Sequence, residues 1–148
     1  MNKQEIIDKI IKDLEKKLIG QKSILKKIDR DRREAPSFMH SASDTTRAEK
    51  QKEGDDYQLK IQNTKDSIEY FKNIDLEGKF VKVEGEGKKV VIYLMVEKGG
   101  GIVLKEYNLV TISKETPIYK CLINKKVGDI CVLKIGDSEK KLKILEIE

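Results

Sequence analysis

Ile7-Asp8-Lys9-Ile10-Ile11-Lys12-Asp13-Leu14-Glu15-Lys16-Lys17-Leu18-Ile19-Gly20-Gln21-Lys22-Ser23-Ile24-Leu25-Lys26-Lys27-Ile28 is the stretch on which the fold turns. Along Ile7, Ile11, Leu14, Leu18, Gln21, Leu25 and Ile28 the steps alternate between four and three. That spacing is a heptad repeat, which keeps one seam of a helix turned toward a partner helix. The same alternation returns at Tyr57, Ile61, Thr64, Ile68 and Phe71. Folding the chain back near residue 41 sets Leu25 opposite Tyr57, Leu14 opposite Ile68 and Ile11 opposite Phe71. Gln21 then falls beside Ile61 and Leu18 beside Thr64, so polar positions interrupt the middle of both seams. Two matched seams predict an antiparallel coiled-coil hairpin over residues 1–74, with its tip near residues 35–46.

One long helix dimerising in parallel is the competing arrangement, and Ala35-Pro36-Ser37 argues against it. Pro36 disfavours helix at the residue before it and has no N–H to continue the ladder. Ser41-Ala42-Ser43-Asp44-Thr45-Thr46 supplies turn and capping residues, which makes Asp44 or Thr45 the expected N-cap of the returning helix. Toward the tip the seam turns polar, with Arg32 and Arg47 where a free-standing coil wants Leu. A hairpin end of that kind is either frayed or built for insertion into something else.

Beyond Asp75 the periodicity changes to that of short strands. Phe80–Val83, Val90–Val96, Ile102–Leu104, Val110–Ile112, Ile130–Ile135 and Leu142–Ile147 read as strands, with Val90–Val96 central. Thr116-Pro117 opens a short helix as N-cap and first helical residue, and that helix ends near Asn124. Val127-Gly128-Asp129 and Gly136-Asp137 read as turns. Gly99-Gly100-Gly101 reads as a flexible turn without the spacing or following helix of a phosphate loop. Residues 75–148 thus form a small β domain with one short helix, and the whole chain is an α+β protein.

Composition narrows the function classes. Lys plus Arg number 31 against 26 Asp plus Glu, so the net charge of +5 does not single out a duplex-DNA binder. The N-terminus runs straight into the amphipathic pattern with no apolar signal segment, and no stretch reaches membrane-spanning length. Cys121 and Cys131 lack metal-ligand spacing, and His40 is the only histidine. They are expected as buried or half-buried free thiols in a reducing, cytoplasmic setting. No Ser-His-Asp constellation is available, because His40 lies in the other half of the chain.

The run Ser113-Lys114-Glu115-Thr116-Pro117-Ile118-Tyr119-Lys120-Cys121-Leu122-Ile123-Asn124-Lys125-Lys126-Val127-Gly128-Asp129 resembles the C-terminal signature of the Gre transcript-cleavage factors. In that family a Ser-Pro-Ile or Ser-Pro-Leu start leads through a short helix to a Gly-Lys-x-x-Gly-Asp turn. Here Thr116 replaces the Ser and Asn124 the first Gly. Lys143-Ile144-Leu145-Glu146-Ile147 is similar to the family's last strand, and the preceding hairpin matches its N-terminal domain in length and order. The resemblance is strong over residues 110–148 and rests on architecture before that. It implies an FKBP-like C-terminal domain at the rim of the RNA polymerase secondary channel, with Pro117, Ile118, Lys125, Lys126, Gly128 and Asp129 as docking candidates. It also implies that the coiled-coil tip enters the channel. There a pair of tip carboxylates shares a Mg²⁺ with the polymerase, which then cuts its own backtracked RNA.

The tip of this chain departs from that pattern. The family places an Asp and a Glu three residues apart; here Ser41 takes the first position and Asp44 the second. A hydroxyl cannot supply the charge of a carboxylate to Mg²⁺. Asp44 has three readings: a lone metal-facing carboxylate, a helix N-cap, or a solvated loop residue. Phe38, Met39, His40, Ser41, Ser43 and Arg47 are candidate tip contacts, and Arg30, Arg32, Arg33, Arg47 and Lys50 suit a passage near RNA phosphates. The leading expectation is a monomeric polymerase regulator that touches nascent RNA indirectly, binds no specific DNA sequence and stimulates little cleavage. It is not an enzyme and has no cofactor of its own. Competing expectations are a cleavage factor pairing Asp44 with Glu34 or Glu49, a peptidyl-prolyl isomerase or chaperone module, and a coiled-coil protein unconnected with polymerase.

Overall fold

A computed structural model describes residues 2–34 and 40–148, with the side chains of 40–47 left out of the description. The chain divides into two compact units, Met1–Asn73 and Ile74–Glu148.

The first unit is a pair of long helices, α1 (Lys3–Glu34) and α2 (His40–Lys72). Asn2 starts α1, its side-chain oxygen accepting the Glu5 N–H at 3.2 Å, which satisfies one of the unpaired donors of the first turn. The heptad seam is buried at Ile7, Leu14, Gln21 and Ile28 on α1 and at Ile61, Thr64, Ile68 and Phe71 on α2. Ile11, Leu18 and Leu25 are half-buried. Ile6 and Ile10, outside the seven-residue pattern, are fully buried and widen the apolar stripe at the open end. Gly54 was not part of the expected seam, yet it is buried there. A Cβ at that position would lie 3.8 Å from Ile28 and 4.0 Å from Leu25, so the missing side chain leaves their room. A glycine carries no hydropathy signal, which is why the seam seemed to begin at Tyr57.

The middle of the seam differs from the expected pairing. Gln21 and Thr64 meet each other, the Thr64 hydroxyl donating to Gln21 Oε1 at 2.8 Å. A seam residue of an antiparallel pair packs between partner residues a turn apart. A buried amide oxygen gains more from the hydroxyl in that choice than from Ile61. Thr64→Val should therefore destabilise the hairpin by about 1–3 kcal/mol, by stranding a buried polar group. Adding Gln21→Leu should recover most of that loss. Denaturant midpoints of the two single variants and the double variant test this, and additive losses would contradict it.

The returning helix begins earlier than expected. α2 already starts at His40, so Asp44 and Thr45 lie inside it and neither is its N-cap. Ser, Thr and Asp each cost only about 0.5 kcal/mol in a helix interior, and a long helix downstream propagates cooperatively through them. Met1 and residues 35–39, with Pro36, Phe38 and Met39, lie outside the described residues.

The second unit is one mixed sheet with a short helix. Its strands are β1 (Phe80–Glu84), β2 (Val90–Val96), β3 (Val103–Leu104), β4 (Leu109–Ser113), β5 (Ile130–Ile135) and β6 (Ser138–Ile147), in the order β3-β4-β2-β1-β6-β5. All neighbours are antiparallel except β2 and β4. Helix α3 (Pro117–Leu122) joins β4 to β5. Side chains alternate across a strand, so Val81, Val83, Ile112, Leu142 and Ile144 share a face and form a core with Leu122 of α3 and Cys131. Long apolar strands separated by tight turns produce this α+β arrangement as the sequence leads one to expect.

Two local expectations need correction. The three-glycine turn is firmly held: the buried Thr111 hydroxyl donates to Gly99 O at 2.7 Å and accepts from Ile102 N at 2.9 Å. A Cβ on Gly100 would sit 2.9 Å from Ser113, so backbone contact rather than flexibility explains that glycine. Cys121 and Cys131 are not free thiols; they are joined as a disulfide, with Cα atoms 5.8 Å apart. That separation falls in the range a disulfide spans, and it arises from α3 packing beside β5, which no sequence spacing announces.

Candidate functional site

Two regions gather the residues to which the sequence assigned a role, and each belongs to a different unit. The first is the far end of the hairpin. Arg32, at its seam position, reaches across to Gln51 and also lies 3.4 Å from Asp29. Lys50 sits 3.9 Å from Asp31 on the opposite helix and 3.3 Å from Glu53. The seam thus passes from apolar packing to polar cross-links, which replace the Leu layer a free coil would need. Lys26, Asp29, Arg30, Arg33 and Glu34 line a shallow open recess on α1 beside this end. Exposed ion pairs of this kind contribute little stability, so their value lies in keeping the end hydrated and charged.

His40, Ser41, Ser43, Asp44 and Arg47 lie in the first turns of α2, where the backbone alone is described. Phe38 and Met39 fall outside the described residues. Among the described residues no three His, Cys, Asp or Glu side chains converge on a metal position. At the tip the sequence offers Asp44 with the neutral Ser41 three residues before it.

The second region follows α3, and its geometry accounts for most of the signature. Thr116 Oγ1 accepts the Tyr119 N–H at 3.3 Å and donates to Ser113 O at 2.7 Å. Pro117 occupies the first turn, where its missing N–H costs nothing. After the helix, Asn124 adopts φ +65°, a left-handed conformation that Gly takes freely and Asn tolerates better than other residues. Asn124 can therefore make a turn that would otherwise call for Gly. Gly128 follows at φ +92°, and Asp129 Oδ2 accepts the Lys126 N–H at 2.8 Å. The turn is then tied to β6, with Gly128 N donating to Ile144 O at 2.8 Å and Ile144 N to Asp129 O at 2.9 Å.

Of the six docking candidates, Gly128 and Asp129 shape the turn, and Ile118 packs against the core. Pro117, Lys125 and Lys126 are exposed. Sequence reasoning passed over the apolar residues that the turn presents: Ile123 is 44% exposed, Val127 60% and Ile130 57%. The hydropathy of Ile123 and Ile130 reads as core or strand, and the turn reading at Val127 does not say that its side chain faces outward. Asn124→Gly should leave stability within about 0.5 kcal/mol or raise it slightly, whereas Asn124→Val should cost about 1–2 kcal/mol. Equal melting temperatures for the two variants would contradict the left-handed assignment.

The aromatic residues of this unit are divided between the two faces of the sheet. Tyr93 and Tyr119 pack on the α3 side, where burial raises the Tyr93 phenol above its ordinary pKa. Phe80 is paired with Leu94 in the β1–β2 register and therefore points to the other face of the sheet.

No family model and no curated protein matches the chain. Solved structures do. The chain is similar to Gfh1, the GreA factor homolog 1 of Thermus thermophilus, at 16% identity and a TM-score of 0.39, covering 93% of this chain and 94% of that one. A structure of the transcription factor Gfh1 gives 16% and 0.41, with 93% and 92% covered. Thermus aquaticus Gfh1 gives 17% and 0.41, again with 93% and 92% covered. Identity and score at this level assign no function.

Among the described residues no helix is long and apolar enough to cross a membrane.

Proposed function

We propose that this chain is a Gre-like regulator of RNA polymerase. The second unit docks at the rim of the secondary channel, and the tip of the hairpin points toward the active centre. The observation that carries this reading is the turn after α3. There a capped helix, left-handed Asn124 and Gly128, and the Asp129 carboxylate together present Ile123 and Val127 beside Lys125 and Lys126. An exposed apolar pair ringed by positive charge suits a protein surface carrying acidic side chains. The polar, cross-linked far end of the hairpin supports the second half of the reading, since a channel lined by nucleic acid and metal-bound phosphates is wet and negatively charged.

The chain acts by occupying the channel as a monomer, touching nascent RNA only indirectly and binding no specific DNA sequence. Its place of action is the cytoplasm, and it brings no cofactor of its own. Any Mg²⁺ near Asp44 would belong to the polymerase, and a single carboxylate would add little to its hold. Cleavage stimulation is accordingly weak or absent, and the chain modulates pausing, initiation or backtracking instead.

The experiment is to add the purified protein to a stalled, backtracked elongation complex and follow both binding and RNA length. Binding without shortened RNA is the expected result. Shortening that disappears with Asp44→Ala would overturn the regulator reading in favour of a cleavage factor using Asp44 with Glu34 or Glu49. Absence of binding would overturn both.

A further inference from the structure

The disulfide holds the second region described above, and its surroundings show more than a static link. Cys121 lies on α3 and Cys131 on β5, so the bond closes a loop of sequence separation 10 that contains Ile123, Lys125, Lys126, Val127 and Gly128. Leu122 and Cys131 anchor the two ends in the core, and the bond adds a covalent tie between two elements that are individually slight. α3 has only 6 residues, and β5 is an edge strand with β6 as its one neighbour in the sheet. A helix that short does not persist without tertiary support. The two cysteines are also unequal: Cys131 is 1% exposed, whereas Cys121 is half-buried. Cys121 Sγ further lies 3.4 Å from the Val132 carbonyl oxygen, an acceptor for an S–H at that position. Both oxidation states therefore have a place in the same fold.

We infer that Cys121 and Cys131 form a reversible thiol–disulfide site that sets the order of the segment between them. In the oxidised state the segment is pinned to α3 and β5. In the reduced state the end of α3 and the turn at 124–129 loosen. The chemical partner is a small-molecule disulfide or thiol. For oxidation, a thiolate of one cysteine attacks the small disulfide, forming a mixed disulfide and releasing one thiol. The second thiolate then attacks the protein sulfur of that mixed disulfide and releases the second thiol. Two protein thiols are oxidised, one small disulfide is reduced, and their two protons end on the two released thiols. Reduction runs the same steps backwards, beginning at the less buried cysteine, Cys121. Its consequence for polymerase rests on the docking role proposed above: a pre-ordered turn binds more tightly than one ordered on contact.

The test equilibrates the full chain with graded ratios of reduced and oxidised glutathione, traps thiols by alkylation and measures three quantities. The first is the fraction oxidised by mass, which should rise and fall reversibly across those ratios. Permanent disulfide in millimolar thiol, or permanent dithiol in oxidised glutathione, would overturn the inference. The second is amide exchange at Lys125, Lys126, Gly128 and Asp129, expected to be at least roughly tenfold slower in the oxidised chain. Equal exchange in the two states would overturn the ordering role. The third is affinity for RNA polymerase, expected to be several-fold tighter when oxidised, with Cys121→Ser fixed at the reduced value. Equal affinity of both states would overturn the regulatory consequence. Binding by neither state would count against the docking proposal, while exchange would still decide the thiol–disulfide site.

Discussion

Ile144→Ala should lower the stability of the β domain by about 2–5 kcal/mol, the range for removing a large aliphatic side chain from a packed interior. Ile144 is 1% exposed, faces the core that Val81, Val83 and Leu122 complete, and pairs with Val83 across β1 and β6. In a unit of this size each kcal/mol corresponds to roughly 4–8 °C, so the melting temperature should fall by about 10 °C or more. A domain of ordinary stability would stand close to unfolding. The loss should reach the candidate docking turn as well, because the Ile144 backbone bonds both Gly128 and Asp129. Thermal melts and denaturant midpoints check the first effect, and polymerase affinity checks the second. A melting temperature within about 3 °C of the parent would show that Ile144 is not at the centre of this core.

Val127→Asp should do the opposite: weaken polymerase binding strongly while sparing the fold. Val127 is 60% exposed and sits between the left-handed Asn124 and Gly128, so its side chain stabilises little in the free protein. Stability should change by no more than about 0.5 kcal/mol, as for other surface substitutions. If the turn docks on an acidic, partly apolar surface, a carboxylate there is desolvated beside like charge. Binding should weaken by at least about tenfold, in the range where central interface residues act. Lys125→Glu should show a smaller, salt-dependent loss, because a rim charge works mainly on association. Unchanged affinity for Val127→Asp, with the fold intact, would remove the turn from the interface.

Periodicity carried the reading wherever structure depends on local spacing. The four-three alternation led to the hairpin, and Thr116-Pro117 led to α3, because seam burial and capping are decided within a few residues. It misjudged places where tertiary packing sets the outcome. Gly54 entered the seam because a bare backbone gives Leu25 and Ile28 their room. Gln21 bonds Thr64 rather than facing its expected apolar opposite, Ile61, because a buried amide oxygen needs a donor. The Asp44 cap failed because the polar run 41–46 is a weak helix breaker and α2 extends through it.

The candidate site was legible in part. Thr116, Asn124, Gly128 and Asp129 stood out as a pattern, and the structure supplies the turn geometry behind them. Ile123, Val127 and the pairing of Cys121 with Cys131 did not stand out. Outward orientation and through-space proximity leave no periodic trace in a chain.

A photo-cross-linking residue in place of Ser43 tests the central claim most directly. With a stalled elongation complex, the full-length protein should cross-link to polymerase segments that line the active centre. Competition with the unlabelled parent chain should abolish the product, and Val127→Asp in the labelled chain should greatly weaken it. Cross-links confined to the outer surface of polymerase, or none at saturating concentration, would contradict insertion of the hairpin into the channel.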